Sequence, residues 1–101
     1  MLTIRVDDAG GVIYLEGDMD LDCADGLRDA VGALSASRDQ VVLDFAGVTF
    51  IDSSGTGIFV RLCLDQQAEG VAVRARNLSA AVSSVFDMLK VRMLVGEEVF
   101  V

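Results

Sequence analysis

Val41-Val42-Leu43-Asp44-Phe45-Ala46-Gly47-Val48-Thr49-Phe50-Ile51-Asp52-Ser53-Ser54-Gly55-Thr56-Gly57 is the stretch on which the fold turns. Its first five residues form a short apolar run rich in β-branched side chains, which reads as a central strand buried on both faces. Val48-Thr49-Phe50-Ile51 leads into a polar turn that contains two glycines. A helix is expected from about residue 54 to Ala68, ending at Glu69-Gly70, where glycine suits the position just past a helix. Ile58, Phe59, Val60, Leu62, Cys63 and Leu64 make the first half of that helix apolar nearly all round, so it should be deeply buried.

Upstream, Leu2 to Val6 alternates apolar and polar as a half-buried strand does. Gly10-Gly11 makes a turn, and Val12-Ile13-Tyr14-Leu15 returns as the second strand of an opening hairpin. Glu16 to Asp22 reads as an acidic loop. Asp22 followed by Asp25 has the form of an N-cap with an acid in the first turn. Ala24, Leu27, Ala30, Val31 and Leu34 then predict an amphipathic helix over 23–36. Gly26 and Gly32 weaken it by about 1 kcal/mol each relative to alanine. Downstream, Val71 to Arg74 is a strand. Leu78, Ala81, Val82, Val85, Phe86 and Leu89 predict a helix from Asn77 to Leu89, and Met93-Leu94-Val95 reads as a last strand. The order β-β-α-β-α-β-α-β specifies an α/β fold with a mostly parallel sheet and right-handed crossovers.

With 101 residues the chain should form one domain spanning 1–101, and 52% hydrophobic residues can supply its core. Sixteen acidic against eight basic residues, with no histidine, give a net charge of −8. That charge argues against nucleic-acid binding, which needs clustered Lys and Arg. Cys23 and Cys63 lie forty positions apart with no Cys-x-x-Cys pair. The spacing excludes the usual zinc and thioredoxin motifs and fits two buried free thiols better than redox sensors. The N-terminus lacks the charged and apolar regions of a signal peptide, and no run of eighteen apolar residues exists to enter a membrane. A cytoplasmic protein is expected.

The turn Asp52 to Gly57 carries the most information about function. It follows the most apolar strand and opens the most apolar helix, and in parallel sheets sites gather at the carboxyl ends of strands. A helix N-terminus favours an anion, so a phosphate esterified to a serine here would be stabilised. Gly55 and Gly57 would let another backbone or a nucleotide come close. An equally good physical reading is that Ser53 merely caps the helix and the glycines relieve packing. Catalytic readings fail. Ile51 and Asp52 stand where a nucleophile elbow needs glycine, and no histidine exists to act as base. Val60 stands where a dinucleotide fingerprint needs its third glycine, and no Walker motif is present. Asp18, Asp20 and Asp22 alternate as in a calcium loop, but Cys23 takes the glycine position and Asp29 the place of the closing glutamate. Solvated capping acids fit better, so no metal is expected.

The stretch from Val41 to Gly57 resembles the signature of STAS domains, especially the bacterial anti-sigma factor antagonists. Gly17-Asp18-Met19-Asp20 is similar to the family's Gly-Glu-Leu-Asp, and Val85-Phe86-Asp87-Met88 to the Leu-Phe-Asp-Met of its third helix. The resemblance implies the STAS fold: a sheet of about four to five strands opened by a hairpin, with helices mainly on one face. It implies that Ser53 is phosphorylated, a choice over Ser54 that rests on the resemblance alone. It further implies a non-enzymatic partner switch that binds no cofactor of its own, since ATP and magnesium belong to the kinase. The unphosphorylated form binds a cognate anti-sigma serine kinase of the GHKL type and frees the sigma factor, and a PP2C-type phosphatase resets it. Asp18, Asp20, Asp52, Ser54, Gly55, Thr56 and Gly57 are the expected partner-binding residues, with Asp20 matching an acid near the phosphorylation site. Two other readings are a STAS subunit of a membrane transporter ATPase assembly and a component of a larger STAS-based sensory complex. The family commonly ends in a terminal helix, which is expected to be shortened or absent here. Thr56, where many relatives carry leucine, is a smaller departure.

Overall fold

The computed structural model describes residues 1–101. The decisive stretch folds as one continuous strand, β3 (Gln40–Ile51), followed at once by α2 (Ser53–Ala68). Ahead of it come β1 (Leu2–Asp7), β2 (Val12–Met19) and α1 (Ala24–Ser35); after it come β4 (Ala72–Arg76), α3 (Ala80–Met88) and α4 (Val91–Val95). The sheet order is β1-β2-β3-β4, with β1 antiparallel to β2 and the other two pairings parallel. The hairpin turn is held by Asp7, whose side chain accepts from the Gly10 N–H at 3.1 Å, and by Gly11 at φ 70°.

Side-chain alternation then sorts the two faces of the sheet. Ile13, Leu15, Val41, Leu43, Phe45, Val73 and Ala75 point to one side and are buried beneath the helices. They join Leu27, Val31, Phe59, Val82 and Phe86 in a single core cluster of 23 side chains. Phe45, Phe59 and Phe86 form its centre, with ring centroids 5.2 to 6.0 Å apart. The opposite face carries no helix. β3 is therefore buried on one face only, against the two expected from its apolar run: Val42 is half-buried on the open side. Asp44 is 5% exposed there because polar neighbours surround it. It accepts from the Ala46 N–H, Arg76 Nε and Asn77 Nδ2, each at 2.9 Å.

Three local expectations are corrected. Glu16–Met19 is strand and not loop, because Gly17, Asp18 and Met19 pair with Val48, Phe50 and Ile51 across two register shifts. Asp22 does not cap α1. A 3-10 turn over Leu21–Cys23 precedes the helix, and Asp20 caps that turn by accepting from the Asp22 N–H at 3.1 Å. Met93-Leu94-Val95 belongs to α4 and not to a strand. Lys90 takes the left-handed conformation (φ 60°) after α3, and Val91 and Val95 then bury one side of a single short helix, four residues apart. The sheet thus has four strands; Phe100 adds only an isolated bridge to Ala75. No helix is long and apolar enough to cross a membrane.

Candidate functional site at the carboxyl ends of β2 and β3

Met19 and Ile51 are register partners at the ends of two parallel strands, so Asp20 and Asp52 leave the sheet side by side. Each performs the same task. Asp20 caps the 3-10 turn, and Asp52 caps α2 with an extended backbone (φ −119°, ψ −174°) and a side chain accepting from the Gly55 N–H at 2.8 Å. Cys23 lies behind them. Burial raises its thiol pKa, and the charges of Asp20 and Asp52 push it the same way. Two carboxylates 32 positions apart in sequence thus converge on one spot.

The capping by Asp52 settles one of the two physical readings of Ser53. Ser53 is the first residue of α2 and not its cap, and both it and Ser54 are exposed. The residues behind them are structural. Thr56 is 2% exposed, and its hydroxyl donates to the Asp52 carbonyl at 2.8 Å, bracing the turn from inside. Gly55 is buried where α2 crosses the end of β2, and a Cβ there would lie 2.6 Å from the Met19 carbonyl carbon. Its close approach serves the chain's own backbone. Gly57 differs, being exposed with nothing within 4 Å of where its Cβ would stand. Asp18 sits apart in β2, half-exposed and 3.5 Å from the N-terminal ammonium. Asp18 and Asp20 have separate tasks, and no group of three or more His, Cys, Asp or Glu is placed to hold a metal.

Two grooves flank α2 beyond this turn. One, of about 400 Å³, begins at Ser53 and runs between α2 and the α3–α4 corner, over Val60, Leu64, Leu89 and Leu94, with Arg61 on its wall. Leu64, Leu89, Leu94 and the neighbouring Met88 and Met93 are all partly to largely exposed. The first half of α2 is therefore less buried than its composition suggested, with Ile58 and Val60 only half-covered. The other groove, of about 270 Å³, lies between α1 and α2 and includes Ser54, Arg28 and Arg61. Leu89, Leu94, Arg28 and Arg61 were absent from the residues expected at the site. Only the spacing Ser54, Gly57, Arg61 hinted at one of them, since residues three and four apart share a helix face.

Comparison with known proteins places this geometry. No curated protein sequence matches the chain. Among solved structures, an anti-sigma factor antagonist from Mycobacterium paratuberculosis is similar, at 23% identity and TM-score 0.75 over 92% of this chain and 81% of that one. The Bacillus cell fate determinant SpoIIAA in its phosphorylated form shares 16% identity with TM-score 0.62, over 93% and 87%. A sulfate transporter family protein from Wolinella succinogenes shares 16% identity with TM-score 0.76, over 88% and 73%. These likenesses establish the fold. The family model described as "Mlab, STAS domain" matches residues 2–96. The chain belongs to the STAS domain family.

Proposed function

We propose that this protein is an anti-sigma factor antagonist that works by switching partners. Its unphosphorylated form binds a cognate anti-sigma serine kinase of the GHKL type and releases the sigma factor in the cytoplasm. Phosphorylation of Ser53 ends that binding, and a PP2C-type phosphatase restores it. The chain itself catalyses nothing.

The observation that carries this reading is the position of Ser53. Asp52 has taken over the capping, so the Ser53 side chain is exposed at the mouth of an apolar groove. A partner that fills the groove with apolar side chains covers Ser53 at its edge. A phosphoryl group there adds about 1.5 to 2 negative charges, next to Asp52 and near Asp20. Arg61 is the groove's only basic residue and stands about two turns along α2, so burying that charge beside Ser53 is costly, and like charges nearby raise the cost further. Asp18, Ser54 and Gly57 lie at the same end of the sheet and contribute to the contact, with Gly55 and Thr56 supporting it from beneath. The likeness to an antagonist solved in phosphorylated form agrees with this reading.

The test is direct. Incubation with the cognate kinase and ATP is expected to place phosphate on Ser53, read by mass spectrometry. Ser53→Asp is expected to weaken kinase binding at least about tenfold, equivalent to about 1.4 kcal/mol; unchanged affinity sinks the charge-based mechanism. A second reading draws on the transporter-linked STAS domains among the similar structures, whose fold agreement is as close as that of the antagonists. In it the chain is a subunit of a transporter ATPase assembly. Co-purification with an ATPase bearing Walker motifs, and not with a kinase, would favour it.

A further inference from the structure

Ser53 and Ser54 are neighbours, yet they open onto different surfaces. Ser53 lines the apolar groove toward α4, whereas Ser54 lines the smaller pocket between α1 and α2. That pocket holds two arginines, Arg28 from α1 and Arg61 from α2. We propose that it is a phosphoryl-binding pocket whose ligand is a phosphate carried on Ser54, making Ser54 a second acceptor distinct from Ser53. The inference goes beyond the reading of Ser53 and stands without it.

Three features support the assignment. Arg61 has no carboxylate within ion-pair distance, although acids outnumber bases two to one in the chain. Arg28 has only the i−3 partner Asp25, at 3.2 Å, and both side chains are well exposed. An exposed pair of that kind is worth little and yields readily to a stronger anion. The third feature is Gly57. Ser54, Gly57 and Arg61 follow one another at steps of three and four, so they lie along one stripe of α2. Seven residues span about 10.5 Å, and helical side chains lean toward the N-terminus. Arg61 therefore leans over Gly57 toward Ser54, across a position where no side chain intervenes and even a methyl group would touch nothing.

Both serines sit in the first turn of α2, so the helix end favours an anion on either of them. Arg28 is what separates them. Arg61 lines both grooves, so a phosphate on either serine has a guanidinium on its own helix, but only a phosphate on Ser54 gains a second one, from Arg28 of α1; Ser53 faces Leu89 and Leu94 instead. Arg–phosphate pairs are planar, charge-assisted and bidentate, which makes them strong for their size. The chemistry is ester formation. Ser54 Oγ bonds to the terminal phosphorus of a nucleoside triphosphate as the anhydride bond to the departing diphosphate breaks. The hydroxyl proton passes to a base on the kinase that delivers the group. Held by Arg28 and Arg61, the phosphate ties α1 to α2.

The experiment places phosphoserine in the full chain during synthesis, at position 54 or at position 53, and follows each by ³¹P NMR across pH. Free phosphoserine takes up its second proton at about pH 6. Phosphate at position 54 is expected to titrate about half a pH unit or more below phosphate at position 53, because the cations favour the dianion. Arg28→Ala should move it most of the way back to phosphate at 53 and Arg61→Ala should raise both, while Arg28→Lys retains most of the shift. Both arginines lie on the surface, so the variants keep the fold. If phosphate at 54 titrates like phosphate at 53, or ignores both alanine replacements, the pocket does not hold it and the proposal is wrong. The kinase plays no part in this measurement, so its failure leaves the assignment of Ser53 to its own test.

Discussion

Gly55 and Gly57 stand two residues apart in the same helix, and the structure predicts opposite outcomes for the same substitution. In a helix interior, glycine to alanine stabilises by about 1 kcal/mol when the new methyl meets open space. Gly57 meets that condition, with nothing within 4 Å of its Cβ position. Gly57→Ala should raise stability by about 0.5–1 kcal/mol, or about 2–8 °C in Tm for a chain of this size. Gly55 is blocked by backbone. Its Cβ would stand 2.6 Å from the Met19 carbonyl carbon and closer still to the carbonyl oxygen, with the Asp20 nitrogen at 3.3 Å.

A strand end cannot rotate away as a side chain can, so α2 and β2 must part by about 1 Å, opening the core under Phe59. Overpacking of this kind costs about 1–3 kcal/mol and more where the obstacle is rigid. Set against the helix-propensity gain, Gly55→Ala should lose about 1–3 kcal/mol, or about 5–20 °C in Tm. It should also displace Asp52 from Asp20 and so weaken partner binding. Thermal and urea unfolding of both variants check this. If Gly55→Ala is as stable as Gly57→Ala, the close approach of α2 to β2 is not a constraint and the reasoning fails.

Two further predictions concern ionisable groups. Burial alone would raise the Asp44 pKa, but donation from the Ala46 N–H, Arg76 and Asn77 outweighs it and holds the carboxyl below its ordinary value. A depressed folded pKa means that Asp44 contributes stability above its unfolded value of about 3.9, and that the contribution is lost as pH falls through the lower folded value. The stability gap between wild type and Asp44→Asn, about 1–3 kcal/mol at neutral pH, should therefore shrink steadily below about pH 4. Urea titrations at pH 7 and pH 3 that give the same gap would contradict it. Burial pushes the Cys63 thiol up to about 12, so it should resist thiol reagents at pH 8 in the native protein and react once unfolded. Prompt native labelling of Cys63 by a colorimetric disulfide reagent would show that the core around it opens.

Much of this protein was legible in its sequence because the signals were local. Alternating Leu2–Val6, the apolar run from Val41, and the helical spacing of Leu27, Val31 and Leu34 each reflect a period that one element imposes on its own residues. The order of elements as far as α3, the hairpin, the parallel core and the polar turn at residues 52–57 followed from them. Errors came where a distant partner decides. Gly17–Met19 looks like loop until β3 pairs with it, since glycine and aspartate have poor intrinsic strand preference. Met93-Leu94-Val95 looks like strand until Lys90 turns left-handed and directs Val91 and Val95 into the core, because a short apolar run has no period of its own.

The site divides in the same way. That an exposed polar turn sits at a strand-to-helix junction was written in consecutive residues. Tertiary structure alone decided that Met19 and Ile51 bring Asp20 beside Asp52, and that Gly55 is bound by contact while Gly57 is free. It also turned Ser53 toward an apolar groove and Ser54 toward a pocket that adds Arg28 to the Arg61 the two share, a difference between adjacent residues. Local sequence determines which backbone shape a segment adopts, whereas the surface that each side chain meets depends on which other segments pack there.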